Sequence, residues 1–209
     1  MKDPDEHADS VLRRRRDSLS PATIVLEITS IIIGVLLALG VNQWNENRKN
    51  ENQAREVLAH VANELQANKK IIERVHGINE GMLHYLETAA ADDDSTVNFV
   101  PALQVDDNAW NTLVSTGHSA HVGYRVLLPV SEIYSFQQIY KDVGMQMTQA
   151  HMTASMVNAA AGRDLDEDRM TRQMQPYIAL MVSLEGHLLE SYDKGLEKLS
   201  TIGIYPAAP

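Results

Sequence analysis

Residues 22–41 read ATIVLEITSIIIGVLLALGV, an apolar run with a single charged residue, Glu27. A bilayer core of about 30 Å needs about 20 helical residues, and a helix satisfies its backbone hydrogen bonds internally. Twelve of these residues are Ile, Leu or Val. Each of them favours insertion by about 0.3–0.6 kcal/mol, whereas one central charge opposes it by about 3 kcal/mol. The run therefore predicts a transmembrane helix.

A cleaved signal peptide is the competing interpretation of this run. The apolar region of a signal peptide is usually about 7–15 residues long and is followed by a small-residue cleavage pattern. Here the run is longer, and Asn42-Gln43-Trp44-Asn45 follows it. Length and flank together favour a retained transmembrane helix over residues 21–43.

The flanking charges predict the orientation of this helix. Basic residues beyond the span are diluted by glutamates, whereas the preceding side carries Lys2 and a run of arginines: Arg13, Arg14, Arg15 and Arg16. Cytoplasmic flanks carry the excess of Lys and Arg, so residues 1–20 are expected to be a cytoplasmic tail. Trp44 lies where an aromatic anchor meets the headgroups. Residues 44–203 then form an extracytoplasmic domain, periplasmic if the membrane is a bacterial inner membrane.

One face of the predicted span differs from the rest. It carries small or polar residues at steps of three or four: Thr23, Glu27, Ser30, Gly34 and Ala38. Small residues at this spacing let helix backbones approach closely, and an ionisable group in a membrane usually faces protein or water. The pattern indicates a docking face for another membrane helix. The alternative is that such residues are common in any span and that Glu27 reaches water at the cytoplasmic end.

Long helices are also predicted beyond the span. Mostly apolar residues recur at alternating steps of three and four in the following set: Leu58, Val61, Leu65, Asn68, Ile72, Val75, Asn79, Met82 and Leu86. This is the seam of a helical bundle, in which Asn68 and Asn79 would specify register. A loop is expected from Ala89 to Asp107 and a short helix from Asn108 to Thr116.

Two further seams predict the remaining helices. The first set is Ile133, Phe136, Tyr140, Val143, Met147, Ala150, Ala154, Val157 and Ala161, and its alanine-rich end suggests close packing. The second is Met170, Met174, Tyr177, Met181, Leu184, Leu188, Ser191 and Leu199 or their neighbours, with a kink or delayed start near Pro176. The predicted fold is all-α: one transmembrane helix continuing into an antiparallel, up-down-up bundle of three long helices plus one short helix. Residues 204–209 are expected to be a disordered tail.

Several side-chain groupings resemble chemical sites only weakly. Asp92, Asp93 and Asp94 lack the spacing of a calcium loop, and His118 with His121 lacks a third zinc ligand. Ser115, His118 and Asp107 supply the residue types of a hydrolase triad without a nucleophile motif. The methionines of the last two helices are typical of core filler. We therefore predict no metal, no cofactor and no catalytic residues, and hence no enzyme.

The overall charge restricts the class of partner. The chain has 28 acidic and 18 basic residues and a net charge of −10. An acidic protein is repelled by phosphate backbones, so nucleic acid is excluded as a partner. The chain contains no cysteine, so it forms no disulfide.

The segment Glu27-Ile, then Gly34-Val-Leu-Leu-Ala-Leu39, then Asn42-Gln-Trp-Asn-Glu46 resembles a bacterial family of uncharacterised membrane-anchored proteins. Their pattern is a Glu, a span similar to IGILIALQINNWNE and a helical domain. The stretch Ala109-Trp-Asn-Thr-Leu-Val-Ser-Thr-Gly117 is similar to that family's second element. Gly40 stands where glutamine is common. The resemblance implies architecture and topology and no chemistry.

Three hypotheses for function follow from these patterns. The first is a non-enzymatic accessory or scaffolding subunit that docks on an inner-membrane complex, or on itself, through the transmembrane face and the periplasmic domain. The second is a proton-coupled, stator-like subunit that uses Glu27. The third, a periplasmic sensor bundle, ranks lower because the short cytoplasmic tail offers no output domain.

Overall fold

The structure is a computed structural model that describes residues 21–88, 105–161 and 167–207, the side chains of 167–174 excepted. It contains four α-helices: α1 (Pro21–Thr88), α2 (Asn108–Ser115), α3 (Tyr124–Ala160) and α4 (Glu167–Ser200). A short 3-10 helix, His118–His121, lies between α2 and α3. No β-strand occurs in these ranges, and the predicted all-helical class is confirmed. The cytoplasmic tail, residues 1–20, and most of the acidic loop lie outside the described residues.

The chain divides into two compact units, Met1–Lys49 and Asn50–Pro209. The described part of the first unit is the N-terminal portion of α1, and every one of its residues is exposed. The second unit contains the remainder of α1 together with α2, α3 and α4. All of the buried apolar residues that form the hydrophobic core belong to this second unit.

The core-facing stripe of α1 follows the predicted seam closely. Eight of the nine predicted positions are buried: Leu58, Val61, Leu65, Asn68, Ile72, Val75, Asn79 and Met82. The ninth, Leu86, is half-buried. Alternating steps of three and four place these residues on one face of a helix, and that face packs against α2, α3 and α4.

The predicted seam of α3 is present only in its first half. Ile133, Tyr140 and Met147 are buried, but Ala150 and Val157 are exposed. The expected close packing at the alanine-rich end is therefore wrong. Tyr140 of α3 lies at the level of Asn79 of α1, since both side chains donate to the carboxylate of Glu185 in α4. Beyond Asn79, α1 continues for nine residues and ends at Thr88, whereas α3 continues for twenty residues beyond Tyr140. The C-terminal end of α3 therefore has no part of α1 to pack against.

The seam of α4 lies one residue away from several predicted positions. Tyr177 is 43% exposed and Leu184 and Ser191 are half-buried. The buried positions are Ile178, Met181, Glu185, Leu188, Tyr192, Gly195 and Leu199. α4 begins at Glu167, so the delayed start expected near Pro176 is not found. α3 begins at Tyr124, nine residues before Ile133, the first residue of its predicted seam.

The order of contacts along the helices gives their directions. Leu65 and His76 of α1 lie against Gly195 and Gly186 of α4, so these two helices are antiparallel. Glu64 of α1 bonds Tyr134 of α3, and Asn79 lies at the level of Tyr140, so α1 and α3 run in the same direction. The expected up-down-up order is not what the structure shows.

The C-terminus of α4 ends in a capped, buried turn. Gly203 has φ +76°, Ile204 N–H donates to the Leu199 carbonyl at 3.1 Å, and Gly203 N–H donates to the Ser200 carbonyl at 3.0 Å. These two bonds are those of the Schellman motif, in which glycine takes the left-handed position. Ile204, expected in a disordered tail, is 5% exposed and packs in the core with Leu199. A glycine shortly after the last seam residue was the sequence signal for this cap.

Gly195 marks the tightest contact between α4 and the other two long helices. A Cβ built on Gly195 would overlap Cδ1 of Ile133 and touch Leu65. We expect Gly195→Ala to lower the free energy of unfolding by about 1–3 kcal/mol because extra atoms in a packed core force neighbours out of position. Chemical denaturation followed by circular dichroism measures this change.

Gly186, on the same helix, is the matched control. A Cβ there meets only Cε1 of His76 at 3.9 Å, an ordinary van der Waals distance. Gly186→Ala is expected to be neutral or to stabilise by up to about 1 kcal/mol through helix propensity. Equal effects of the two substitutions would contradict the packing described for α4.

Candidate functional site

No described residue packs over the apolar run of α1, residues 22–41. Every residue from Pro21 to Lys49 is exposed, and the large apolar side chains between Ile24 and Val41 retain 43–74% of their accessible surface. Among the described helices, α1 alone is long and apolar enough to cross a membrane, by length and composition. None of its most apolar window is buried. A core helix of a globular domain buries such a stripe, so this run differs from the remainder of α1.

The five residues of the predicted docking face lie on this exposed run: Thr23, Glu27, Ser30, Gly34 and Ala38. Ser30 Oγ donates to the Glu27 carbonyl at 3.1 Å, so the hydroxyl is satisfied within the helix. No heavy atom lies within 4 Å of a Cβ built on Gly34. The carboxylate of Glu27 makes no hydrogen bond or ion pair with any described residue. The face is thus continuous, polar at one end and open.

A short polar segment follows the apolar run. Trp44 is 63% exposed, and the Arg48 guanidinium carbon lies 5.9 Å from the centre of its ring. Asn42 Nδ2 donates to the Glu46 carboxylate at 3.3 Å, and Gln43 Nε2 donates to Asn47 Oδ1 at 3.1 Å. Trp44 and Arg48 are likewise four residues apart, so an aromatic ring and a cation lie side by side on the helix, a combination typical of residues at the headgroup level. The four arginines, Arg13, Arg14, Arg15 and Arg16, lie outside the described residues.

In the second unit, Glu64 of α1 connects two other helices. Its Oε1 accepts from the Tyr134 hydroxyl of α3 at 2.7 Å, and its Oε2 accepts from the Ala109 N–H of α2 at 2.8 Å. Ala109 lies in the first turn of α2, where backbone N–H groups lack intrahelical partners and a carboxylate is favourable. Trp110 stacks on Tyr134 with ring centres 5.1 Å apart. Burial, and then the Glu64 carboxylate, raise the pKa of Tyr134, which therefore stays a donor.

Asn68 fixes the chain that leads into α2. Its side chain accepts from Asp106 N–H at 3.0 Å and donates to the Asp106 carbonyl at 2.7 Å. Gln137 of α3 also donates to that carbonyl, and Lys141 pairs with Asp107 at 2.9 Å. The register role expected for Asn68 thus has a specific partner, the backbone of Asp106.

A second buried polar group surrounds Glu185 of α4. Asn79 Nδ2 and the Tyr140 hydroxyl donate to its Oε1 at 2.7 and 3.2 Å. His76 Nδ1 lies 3.4 Å from its Oε2. Glu185 is fully buried, and these contacts join α1, α3 and α4 at one point.

The weak chemical groupings seen in the sequence do not come together. Ser115 Oγ donates to the Thr112 carbonyl, and the Asp107 carboxylate pairs with Lys141 and Asn111, so neither residue bonds His118. Across residues 21–88, 105–161 and 167–207, no group of three or more His, Cys, Asp or Glu side chains is placed to hold a metal ion. The aspartates of the acidic loop lie outside these ranges.

The roles of Glu64 and Glu185 were not predicted from the sequence. Glu185 occupies a seam position, since it follows Met181 by four residues and precedes Leu188 by three. A charge at a seam position was the available signal, but the neighbouring Leu184 was the more apolar choice. Glu64 lies beside the seam residue Leu65, and nothing in its local sequence distinguishes it from the exposed glutamates of α1.

Comparison with protein-family models, with curated proteins and with solved structures gives no significant match. The resemblance to a membrane-anchored family therefore stays a prediction that rests on the residues of the span.

The two bonds of Glu64 generate a stability prediction. Glu64→Ala leaves the Tyr134 hydroxyl and the Ala109 N–H without their acceptor, and an unpaired buried donor costs about 1–3 kcal/mol. We expect a loss of about that size in the free energy of unfolding, together with a change in Trp110 fluorescence. Urea denaturation in a Trp44→Phe background measures both.

Glu56→Ala is the control, because Glu56 is an exposed glutamate of the same helix. A surface substitution of this kind changes stability by about 0.5 kcal/mol or less. If Glu64→Ala were equally mild, the connection between α1, α2 and α3 would not depend on this carboxylate.

Proposed function

We propose that this protein is a single-pass, membrane-anchored accessory subunit that docks on a larger inner-membrane complex. The observation that carries the proposal is the exposure of every residue from Pro21 to Lys49. The large apolar side chains of this run are not covered by any described residue, so their cover is expected to come from outside the chain.

Energetics favour lipid as the main cover of this run. Twelve Ile, Leu and Val residues favour insertion by about 4–7 kcal/mol together, against about 3 kcal/mol for the one acidic residue. Trp44 and Arg48 then stand at the level of the headgroups, as interfacial residues do. The arginines at positions 13–16 favour a cytoplasmic N-terminus and a periplasmic location for the helical domain, residues 44–203.

The small and polar face supports a protein partner within the membrane. A carboxyl group in contact with lipid alone is unfavourable, and Glu27 has no partner in the described chain. Gly34 leaves open space beside the helix, which lets a second backbone approach. The partner is therefore expected along Thr23, Glu27, Ser30, Gly34 and Ala38, as another subunit or a second copy of the chain.

The contacts of four polar side chains inside the helical domain support a role in binding rather than catalysis. Glu64, Asn68, Asn79 and Glu185 each hold one element of the second unit against another. These side chains are thereby occupied in maintaining the fold, and the helical domain offers its surface for contact with the partner complex.

Co-purification from native membranes in mild detergent tests the proposal, with mass spectrometry to identify retained proteins. We expect wild type to retain a defined partner or a second copy, and Gly34→Leu to lose it because the added side chain separates the helix backbones. Leu36→Phe is the control, since it adds volume on the opposite face of α1. A lone monomer for wild type, unchanged by Gly34→Leu, would contradict the docking role.

The unpartnered carboxylate of Glu27 favours a second candidate, a proton-coupled, stator-like subunit. Glu27→Gln in the same experiment separates the two. Under the stator hypothesis the variant assembles as wild type does, but the proton-driven activity of the partner is abolished. Assembly with normal partner activity leaves docking as the role of this face.

A further inference from the structure

Glu185 is the one glutamate among the buried residues of the described core, and three helices meet at its side chain. From α1, Asn79 donates to Oε1 at 2.7 Å and His76 Nδ1 lies 3.4 Å from Oε2. From α3, the Tyr140 hydroxyl donates to Oε1 at 3.2 Å. These distances are in or close to the range of ordinary hydrogen bonds, so this cluster is closed in the folded domain.

The titratable groups that face this carboxyl are few. His76 faces it from α1 and Tyr140 faces it from α3. Burial, followed by the charge of Glu185 itself, raises the pKa of Tyr140, with a smaller contribution from Tyr192 of α4. The phenol of Tyr140 therefore stays protonated and remains a donor to the carboxyl.

Two further titratable side chains of α1 and α4 make their contacts elsewhere. On α4, His187 is turned to Phe136, with ring centres 4.8 Å apart. Lys69 of α1 pairs with Asp193 and Glu73. No lysine or arginine among the described residues bonds Glu185, so His76 is the one basic group in contact with it.

This arrangement gives the carboxyl two acceptable states of different energy. When protonated, the group can donate from Oε2 to Nδ1 of His76 while Oε1 accepts from Asn79 and Tyr140, and the cluster holds no uncompensated charge. When it is ionised beside a neutral imidazole, one negative charge is buried with neutral donors only. Burying a charge without an opposite charge is costly even when hydrogen bonds remain.

We propose that Glu185 is a proton-dependent clasp that holds α4 against α1 and α3 when the Glu185–His76 pair retains its proton and loosens this packing when the proton is lost. Glu185 and His76 bind or release this proton, so the packing of α4 against α1 and α3 responds to the pH of the surroundings. This inference does not depend on the membrane proposal, because every group involved lies in the second unit.

The direction of the pH response follows from burial. Burial raises the pKa of Glu185, and the hydrogen bonds from Asn79, Tyr140 and His76 oppose this rise only in part. A folded state that raises a carboxyl pKa binds its proton more tightly than the unfolded chain does. The stabilising contribution is therefore fully present below the ordinary carboxyl pKa of about 4.3 and is lost as the pH rises through the folded value.

The response is expected to be local to one part of the domain. Glu64 and Asn68 hold α1 to α2 and α3 through separate bonds, and Glu64 lies 12 residues, about 18 Å of helix, before His76. These contacts contain no part of the clasp. Loss of the proton therefore loosens the segment that contains Asn79, Tyr140 and Glu185, while the α2 side stays in place.

The test compares urea unfolding of the full chain in detergent across pH 4.5–8.5 for wild type, Glu185→Gln and Glu197→Gln. The Glu185→Gln side chain imitates the protonated carboxyl permanently, since its oxygen accepts from Asn79 and Tyr140 and its amide donates to His76. We expect the unfolding constant of wild type, divided by that of Glu185→Gln, to rise with pH. The rise approaches tenfold per pH unit between the ordinary carboxyl pKa and the raised folded value, and it levels off above the folded value.

Glu197 is an exposed glutamate on the same helix and serves as the control. The unfolding constant of wild type divided by that of Glu197→Gln is expected to stay constant with pH. A Glu185→Gln ratio that is flat or falls with pH overturns the proposal. If Glu185→Gln does not fold, infrared spectroscopy of folded wild type decides. A protonated carboxyl band that persists above pH 5 and fades as the pH rises supports the clasp, and its absence overturns it.

Discussion

An α-helix can satisfy its own backbone in any solvent, but it cannot by itself remove a broad apolar surface from water. α1 meets this constraint in two different ways along its length. From Ala54 to Met82 its apolar stripe is covered by α2, α3 and α4, which supply the core. Between Ile24 and Val41 no described residue covers it, and its large apolar side chains remain 43–74% exposed. The proposed anchoring and docking both depend on that difference.

Within the second unit, polar side chains decide which helix meets which. An apolar seam alone tolerates a shift of one turn, because Leu, Val and Ile fit many similar holes. Asn68 bonds both backbone groups of Asp106, and Glu64 bonds the first turn of α2 and the hydroxyl of Tyr134. A shift of one turn would separate these pairs and leave the buried Asn68 amide and Tyr134 hydroxyl without partners, at about 1–3 kcal/mol each. The polar contacts therefore specify the register that the apolar residues stabilise.

The parts of this fold that could be predicted from sequence are those set by local periodicity. The α1 seam was predicted nearly residue by residue because it contains a long run of alternating steps with few ambiguous neighbours. The direction of α3 relative to α1 was not predicted, because it depends on long-range pairs such as Glu64 with Tyr134 and Asn68 with Asp106, and no local pattern encodes them. Glu185 was overlooked for a related reason: its environment is assembled from residues more than 40 positions away, namely Asn79 and Tyr140. For the candidate docking face, the sequence predicted the spacing, and the structure adds that its residues are exposed.

The most direct test of the central claim is cysteine accessibility in native membranes, since the chain contains no cysteine of its own. Single variants Ile31→Cys, Leu36→Cys and Glu51→Cys are treated with a membrane-impermeant maleimide in right-side-out vesicles. The account predicts that Glu51→Cys is labelled, whereas Ile31→Cys and Leu36→Cys react only after the membrane is dissolved in denaturing detergent. Equal labelling of all three before the membrane is disrupted would contradict insertion of the apolar run in the bilayer.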